Sequence, residues 1–368
     1  MKTHLGIAML LLLSSPFANA LPRFSAVTGY KCQSCHEDPT GGALRQTLGV
    51  QYGREQLPVP DWSKDQSLED LTNLLGGTLG VGADFSMLYF SEQYRSNTAE
   101  GFWQMQGDLY VNFKVTKKIS FYLNKGLYTG FEAFALAKIL PSEGFVKAGK
   151  FLPDFGTKLD DHTTFIRTYT GFSPEYGRPE LTGMEAGLSP GPVSIVGGVY
   201  NSSDGFGAAT TNRKAYLGRA EFMASPTEDI HLWLGANVFG NSSPQTPVSL
   251  PPGAKTTVWG AFGRAGISRL AVFGETDWIQ TTTAALTTKG LVSYVEADYP
   301  LIQGVDLNLA YDFYDPDIDR KTGVIMRYSA GVEFFPLPGV ELRPVYRLVR
   351  GSATNLRNEI HALIHLYF

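Results

Sequence analysis

The chain has two cysteines, and both fall in one pentapeptide, Cys32-Gln33-Ser34-Cys35-His36. Two thiols separated by two residues and followed directly by a histidine suit covalent haem attachment. The sulfurs add across the porphyrin vinyl groups, and the histidine comes to lie beneath the iron as an axial ligand. The same spacing also serves a disulfide or half of a zinc site. A structural zinc site takes four ligands, and no second cysteine pair exists to supply them. A redox disulfide belongs at a helix start in a thioredoxin-like α/β unit, which nothing here resembles. The expectation is therefore one covalent haem c on Cys32 and Cys35, with His36 as the iron ligand.

These residues must be exported and then held. Residues 1–20 read as a secretory signal peptide: Lys2 and His4 precede an apolar stretch over 5–13, and Ala18-Asn19-Ala20 is a small-x-small cleavage site. Residues 21–76 form the expected monohaem segment. Leu44, Leu48 and Tyr52 recur at helical spacing, a second short helix is expected over 68–75 with Ser67 and Asp70 at its start, and Pro58-Val59-Pro60 is a stiff link between them. So small a segment gives a haem thin cover. It is expected to complete that cover by entering the lumen, or the periplasmic mouth, of a barrel built by the rest of the chain.

Residues 77–368 alternate apolar and polar positions, the period of β-strands. In the stretch 340–348, Glu341, Arg343 and Arg347 take odd positions, while 324–334 places Met326, Tyr328, Ala330, Val332 and Phe334 on one face. Tight links at 116–118, 189–192, 225–228 and 335–339 alternate with longer polar segments at 91–100, 154–179, 201–212, 241–255 and 315–323. Short turns at one end and long loops at the other predict an all-β fold, an outer-membrane antiparallel barrel of about sixteen strands with its turns in the periplasm. The last strand, ending in Leu366-Tyr367-Phe368, resembles the terminal strand of outer-membrane porins, where a final Phe is read by the assembly machinery. A barrel of this size encloses water, and its inward charges, among them Glu275, Asp277, Glu296, Asp298, Glu333, Arg219, Arg327, Arg343 and Arg347, are expected to hydrate the pore wall.

Composition limits the remaining possibilities. With 12% aromatic residues and a net charge of −4 the chain is neither disordered nor a nucleic-acid binder. Beyond residue 20 no apolar run reaches the roughly 18 residues of a spanning helix. No residue set resembles a hydrolytic or transferase site. For the sixth iron position, parity points His231, Met223 and His365 inward near the periplasmic end, with His361 farther up the wall. By the same parity Met87, Met105, Met184 and Met326 face lipid, and His162 lies in a cell-surface loop.

The stretch from Phe24 to His36 resembles the F-A-R-x-T-G-x-x-C-x-x-C-H segment of the fused cytochrome–porins of iron-oxidising bacteria, through Phe24, Thr28, Gly29, Cys32, Cys35 and His36. Asp38-Pro39 and Leu48-Gly49 stand where that family has Phe-Pro and Phe-Gly. Gly149-Lys150-Phe151-Leu152-Pro153-Asp154-Phe155-Gly156 is similar to an element of phosphate-selective porins. The resemblance implies a monohaem segment ahead of one outer-membrane barrel, embedded in outer-membrane lipid, with Cys32 and Cys35 holding haem and His36 as proximal ligand. It also implies electron transfer between an extracellular donor, ferrous iron in that family, and a periplasmic c-type cytochrome. Two other expectations stand beside it: a diffusion porin gated by its N-terminal segment, and a sheath for a separate multihaem cytochrome.

Overall fold

The computed structural model describes residues 22–42, 44–63, 77–94, 97–126, 130–172, 180–202, 213–242, 254–320, 322–351 and 357–368. The signal peptide expected over 1–20 and the helix expected over 68–75 lie outside the described residues. The segment before the barrel holds α1 (Pro22–Thr28), a 3-10 turn (Cys32–Ser34), α2 (Thr47–Glu55) and α3 (Pro60–Ser63).

Sixteen strands then run in sequence order around a closed antiparallel barrel. They are β1 (Leu79–Tyr94), β2 (Asn97–Lys114), β3 (Ile119–Gly126), β4 (Phe131–Leu140), β5 (Gly144–Phe151), β6 (Leu181–Leu188), β7 (Val193–Asn201) and β8 (Lys214–Thr227). The second half comprises β9 (Ile230–Asn241), β10 (Lys255–Ile267), β11 (Leu270–Thr282), β12 (Thr287–Ile302), β13 (Val305–Asp315), β14 (Ile325–Phe334), β15 (Val340–Gly351) and β16 (Arg357–Tyr367). Among the described residues between β5 and β6 lies the helix α4 (Phe165–Thr170). Closure is made by β1 on β16, and the backbone of Phe368 extends that seam by exchanging hydrogen bonds with Ala83 at 3.0 and 3.2 Å.

Alternation explains both surfaces. Along β9, His231, Trp233, Asn237 and Phe239 are buried while Leu232, Leu234 and Val238 are exposed, Leu234 by 70%. Outward Leu109, Phe121, Ile195, Phe222 and Ile364 continue this apolar belt around the wall. A belt of that extent is the surface a bilayer covers. Phe102, Trp278 and Tyr299 add exposed aromatic rings to the outer surface. At one end the turns are tight: Ser142 and Glu143 both take φ above +50°, and Gly304 takes φ +89° between β12 and β13.

Two expectations fail here. Residues 91–100 are mostly not a loop: Ser91 to Tyr94 pair in register with Asn97 to Glu100, so β1 and β2 run on past the apolar belt. Beyond the bilayer a strand needs no apolar outward face, and its polar composition imitates a loop. Nor do most of the inward charges line an open pore, because two insertions occupy much of the lumen. Residues 152–172 turn inward and lie on β11–β13, with the Thr157 amide on Glu275 at 2.5 Å, the Phe165 amide on Asp312 at 2.8 Å, and Tyr169 stacked on Tyr314 at 3.5 Å. From the other end α1 packs on β9–β11. Gly266 is required there, since a β-carbon would overlap the Ala26 carbonyl.

The wall charges pair with these insertions. Arg23 of α1 meets Glu333 at 2.7 Å and Asp160 at 3.5 Å, Arg264 donates to Ser25 at 3.1 Å, and Arg347 meets Asp161 at 2.5 Å. Charges withdrawn from water need partners of this kind. An aromatic core fills further space, running from Tyr122 through Phe134, Phe151 and Tyr200 to Phe239, Phe172 and Phe155.

Candidate functional site

Cys32, Cys35 and His36 sit at the tight-turn end, inside the barrel. Their 3-10 turn is closed by amides of Cys35 and His36 donating to the Cys32 carbonyl at 3.1 and 3.0 Å. Two side chains beside the motif fasten it to the turns: Gln33 donates to Glu143 at 2.5 Å, and Lys31 to the Gly191 carbonyl at 3.0 Å. The two cysteines are not joined in a disulfide; Cys35 is buried and Cys32 half-buried.

The chain then doubles back. His36 and Arg45 form a one-rung antiparallel bridge, and the Glu37 amide donates to the Leu44 carbonyl at 3.1 Å. Between them Asp38 caps a tight turn through Thr40 at 2.9 Å, and Gly41, at φ +88°, lies against Cys32. Gln46 precedes α2 and satisfies the carbonyls left over by the motif: its amide donates to Cys35 at 2.7 Å and its side chain to His36 at 2.5 Å and Gln33 at 3.0 Å. Gly49 of α2 then rests directly on the Cys35 carbonyl.

The barrel wall holds this fold from behind. The ammonium of Lys147 is fully buried between Asp38 at 3.2 Å and Glu185 at 2.9 Å, and Lys158 of the inturned loop donates to Thr40 at 2.9 Å and the Gly41 carbonyl at 3.2 Å. Burial opposes ionisation of Asp38, but Lys147 and Lys158 overcome it and hold its carboxyl down to about 2. Burial, reinforced by Arg45 and Lys158, pushes the His36 imidazole down to about 4, leaving the ring neutral at neutral pH. Burial also raises the Cys32 thiol.

Cys32, Cys35 and His36 all face one cavity of about 310 Å³ between the segment, the wall and the inturned loop. The residues fit a covalent haem. The two cysteines share no disulfide, the His36 Nδ1 is buried with no hydrogen-bond partner among the described residues, and the lining joins apolar and aromatic surface (Leu88, Phe335, Tyr52) to cationic groups. Three carboxylates that approach one another, Asp160, Glu333 and Glu341, do not need a metal, because Arg23 and Arg343 already lie among them.

The expected donors for a sixth position are placed differently. His365 lines the cavity, but its Nδ1 is on Glu341 at 3.0 Å and its Nε2 on Asp84 at 3.4 Å. His231 lies outside the lining, its Nδ1 on Ser225 at 2.8 Å and its ring beneath Gly29, and Met223 is buried elsewhere. Two residues set aside on parity or loop position line the cavity instead. Ser86 pairs with Gln106 and Met87 with Gln104, so Met105 is the extra residue of a β-bulge; Met105 and Gln106 both face the cavity. His162 reaches it because its loop turns inward rather than out. The signal for that turn was present in the sequence: Gly156 takes φ +60° directly against Glu275, within the porin-like element 149–156.

No family description and no curated protein matches this sequence. Solved structures do match the barrel. An anion-selective porin from Comamonas acidovorans is similar at 10% identity and a TM-score of 0.59, covering 79% of this chain and 99% of that one. In-vitro folded OmpT, an outer membrane protein of Vibrio cholerae, gives 10% and 0.58, covering 80% and 99%. The high-pH structure of Pseudomonas putida OprB gives 10% and 0.58, covering 79% and 94%. The fold is thus that of outer-membrane porins.

Proposed function

We propose that this chain is a bacterial outer-membrane electron-transfer protein, in which Cys32 and Cys35 hold one haem c and His36 is its protein ligand. The observation that carries this reading is the gathering of two cysteines not joined in a disulfide and the adjacent histidine on one cavity inside a membrane barrel. When bound, haem c supplies a one-electron iron couple. The chain's own residues do the rest. Gln46 and Gly49 fix the motif, Lys147 and Lys158 clamp its return turn, and the inturned loop closes the cavity away from the tight-turn end. The membrane is an insulating layer about 25 Å thick in its apolar band, so a site inside the lumen shortens the distance to either side. The partners that fit are an extracellular one-electron donor, such as ferrous iron, and a periplasmic c-type cytochrome.

The test is expression with the c-type maturation machinery, followed by a haem stain on denatured protein and an intact mass. Wild type retains haem after denaturation; Cys32→Ser/Cys35→Ser loses it while still giving a folded, heat-modifiable barrel. An unmodified wild-type mass sinks the reading. A second reading, a diffusion porin closed by its N-terminal segment, draws on the likeness to an anion-selective porin. Planar-bilayer conductance separates the two. Under the second reading the intact chain shows gated open intervals in which solute passes; under the electron-transfer reading it stays closed as long as residues 22–63 are present.

A further inference from the structure

Arg45 and His36 are partners across an antiparallel bridge. Residues so paired send their side chains to the same side, with β-carbons about 4.5–5.5 Å apart. The Arg45 guanidinium lies over the Tyr367 ring at 4.3 Å, and Arg45 and His36 line the same cavity. Lys158 lines that cavity too, reaching it from the inturned loop, its ammonium held among the described residues by Thr40 and the Gly41 carbonyl. The cavity's neighbouring arginines are already matched: Arg23 and Arg343 by Asp160 and Glu333, Arg219 and Arg264 by Glu221, Arg347 by Asp161. Among the described residues, neither Arg45 nor Lys158 has a carboxylate at ion-pair distance. Asp84 and Asp38 act on these two cations only from beyond contact distance, so a ligand carboxylate can supply the direct pairing they lack.

We propose that Arg45 and Lys158 form a two-point carboxylate site that binds the paired propionates of the tetrapyrrole attached at Cys32 and Cys35. The assignment rests on the proposed haem attachment. Arg45 supplies the planar fork that suits a carboxylate, and Lys158 a compact point charge. Their two origins, segment and loop, make the ligand a tie between the two insertions that fill the lumen.

Haem-loaded wild type, Arg45→Gln, Arg45→Lys and Lys158→Met are compared by potentiometric titration across pH and by resonance Raman of the propionate modes. Loss of a neighbouring cation raises a carboxyl pKa by about one to three pH units. The pH range over which the midpoint potential falls therefore moves up by that amount in Arg45→Gln and Lys158→Met. Arg45→Lys restores most of the wild-type profile. If Arg45→Gln fails to assemble, Lys158→Met carries the comparison, because its residue lies on the loop. Variants that keep covalent haem, the wild-type pH range and unchanged propionate modes overturn the proposal. Wild type lacking covalent haem by mass, scored before any titration, overturns the functional reading and this site with it.

Discussion

Gly49 lies so close to the Cys35 carbonyl oxygen that a β-carbon at position 49 would fall inside that oxygen's van der Waals shell. Gly49→Ala must push α2 away from the motif, at a cost of about 1–3 kcal/mol typical of overpacking. Gly53, one turn on, has only ordinary contact with Tyr367 at 3.8 Å, so Gly53→Ala should be neutral or stabilising by up to about 1 kcal/mol. The haem-to-protein ratio and protease resistance of residues 22–63 read the difference. Equal behaviour of the two variants would show that α2 does not position the motif.

Lys147 is the common cation of Asp38 on the segment and Glu185 on the wall. Lys147→Met strands two buried carboxylates and should weaken docking of the segment by about 3–5 kcal/mol. Asp38→Asn leaves the Lys147–Glu185 pair in place and should cost clearly less. Urea-dependent proteolysis of the segment ranks them, and the opposite ranking would refute the shared clamp.

Acid should release the inturned loop. Burial works against ionisation of Asp160 and Asp161, yet Arg343 and Arg23 for the first, and Arg347 and Arg327 for the second, hold both far below the usual carboxylate range. A carboxyl group whose pKa drops on folding stabilises the fold at every pH above its unfolded value, near 4, and loses that contribution as the pH falls further. Hydrogen exchange across 157–165 should stay slow from about pH 7 to about pH 4 and quicken below. Exchange that quickened already at about pH 6 would exclude these two groups as the cause.

His365→Ala and His231→Ala should leave the axial-ligand spectrum of the haem-loaded protein unchanged. Both His365 nitrogens serve carboxylates on β1 and β15, and His231 does not reach the cavity. His365→Ala should instead lower the unfolding temperature of the barrel, because Asp84 and Glu341 lose their shared partner. A changed ligand-field spectrum in either variant would place that histidine on the iron.

The strands were legible because their signal is local: each residue faces in or out according to its neighbours, and Glu341, Arg343 and Arg347 point inward as their parity requires. Met105 was not, because one bulged residue in β2 reverses every assignment that is carried across it. His162 was misplaced for another reason. A loop that enters a polar lumen has the same composition as one that enters solvent, and only the Gly156 turn distinguishes them. The Cys32, Cys35 and His36 grouping was legible from spacing alone, whereas Arg45, nine residues on, joins it only through a backbone bridge that no periodicity announces.

Leu44 packs on Gly82 beside the carbonyl of Phe368, and Arg45 covers Tyr367. The segment ahead of the barrel therefore comes to rest on the seam where β1 meets β16. Its berth does not exist until β16 has joined β1, so occupancy of the interior waits on the sealing of the ring.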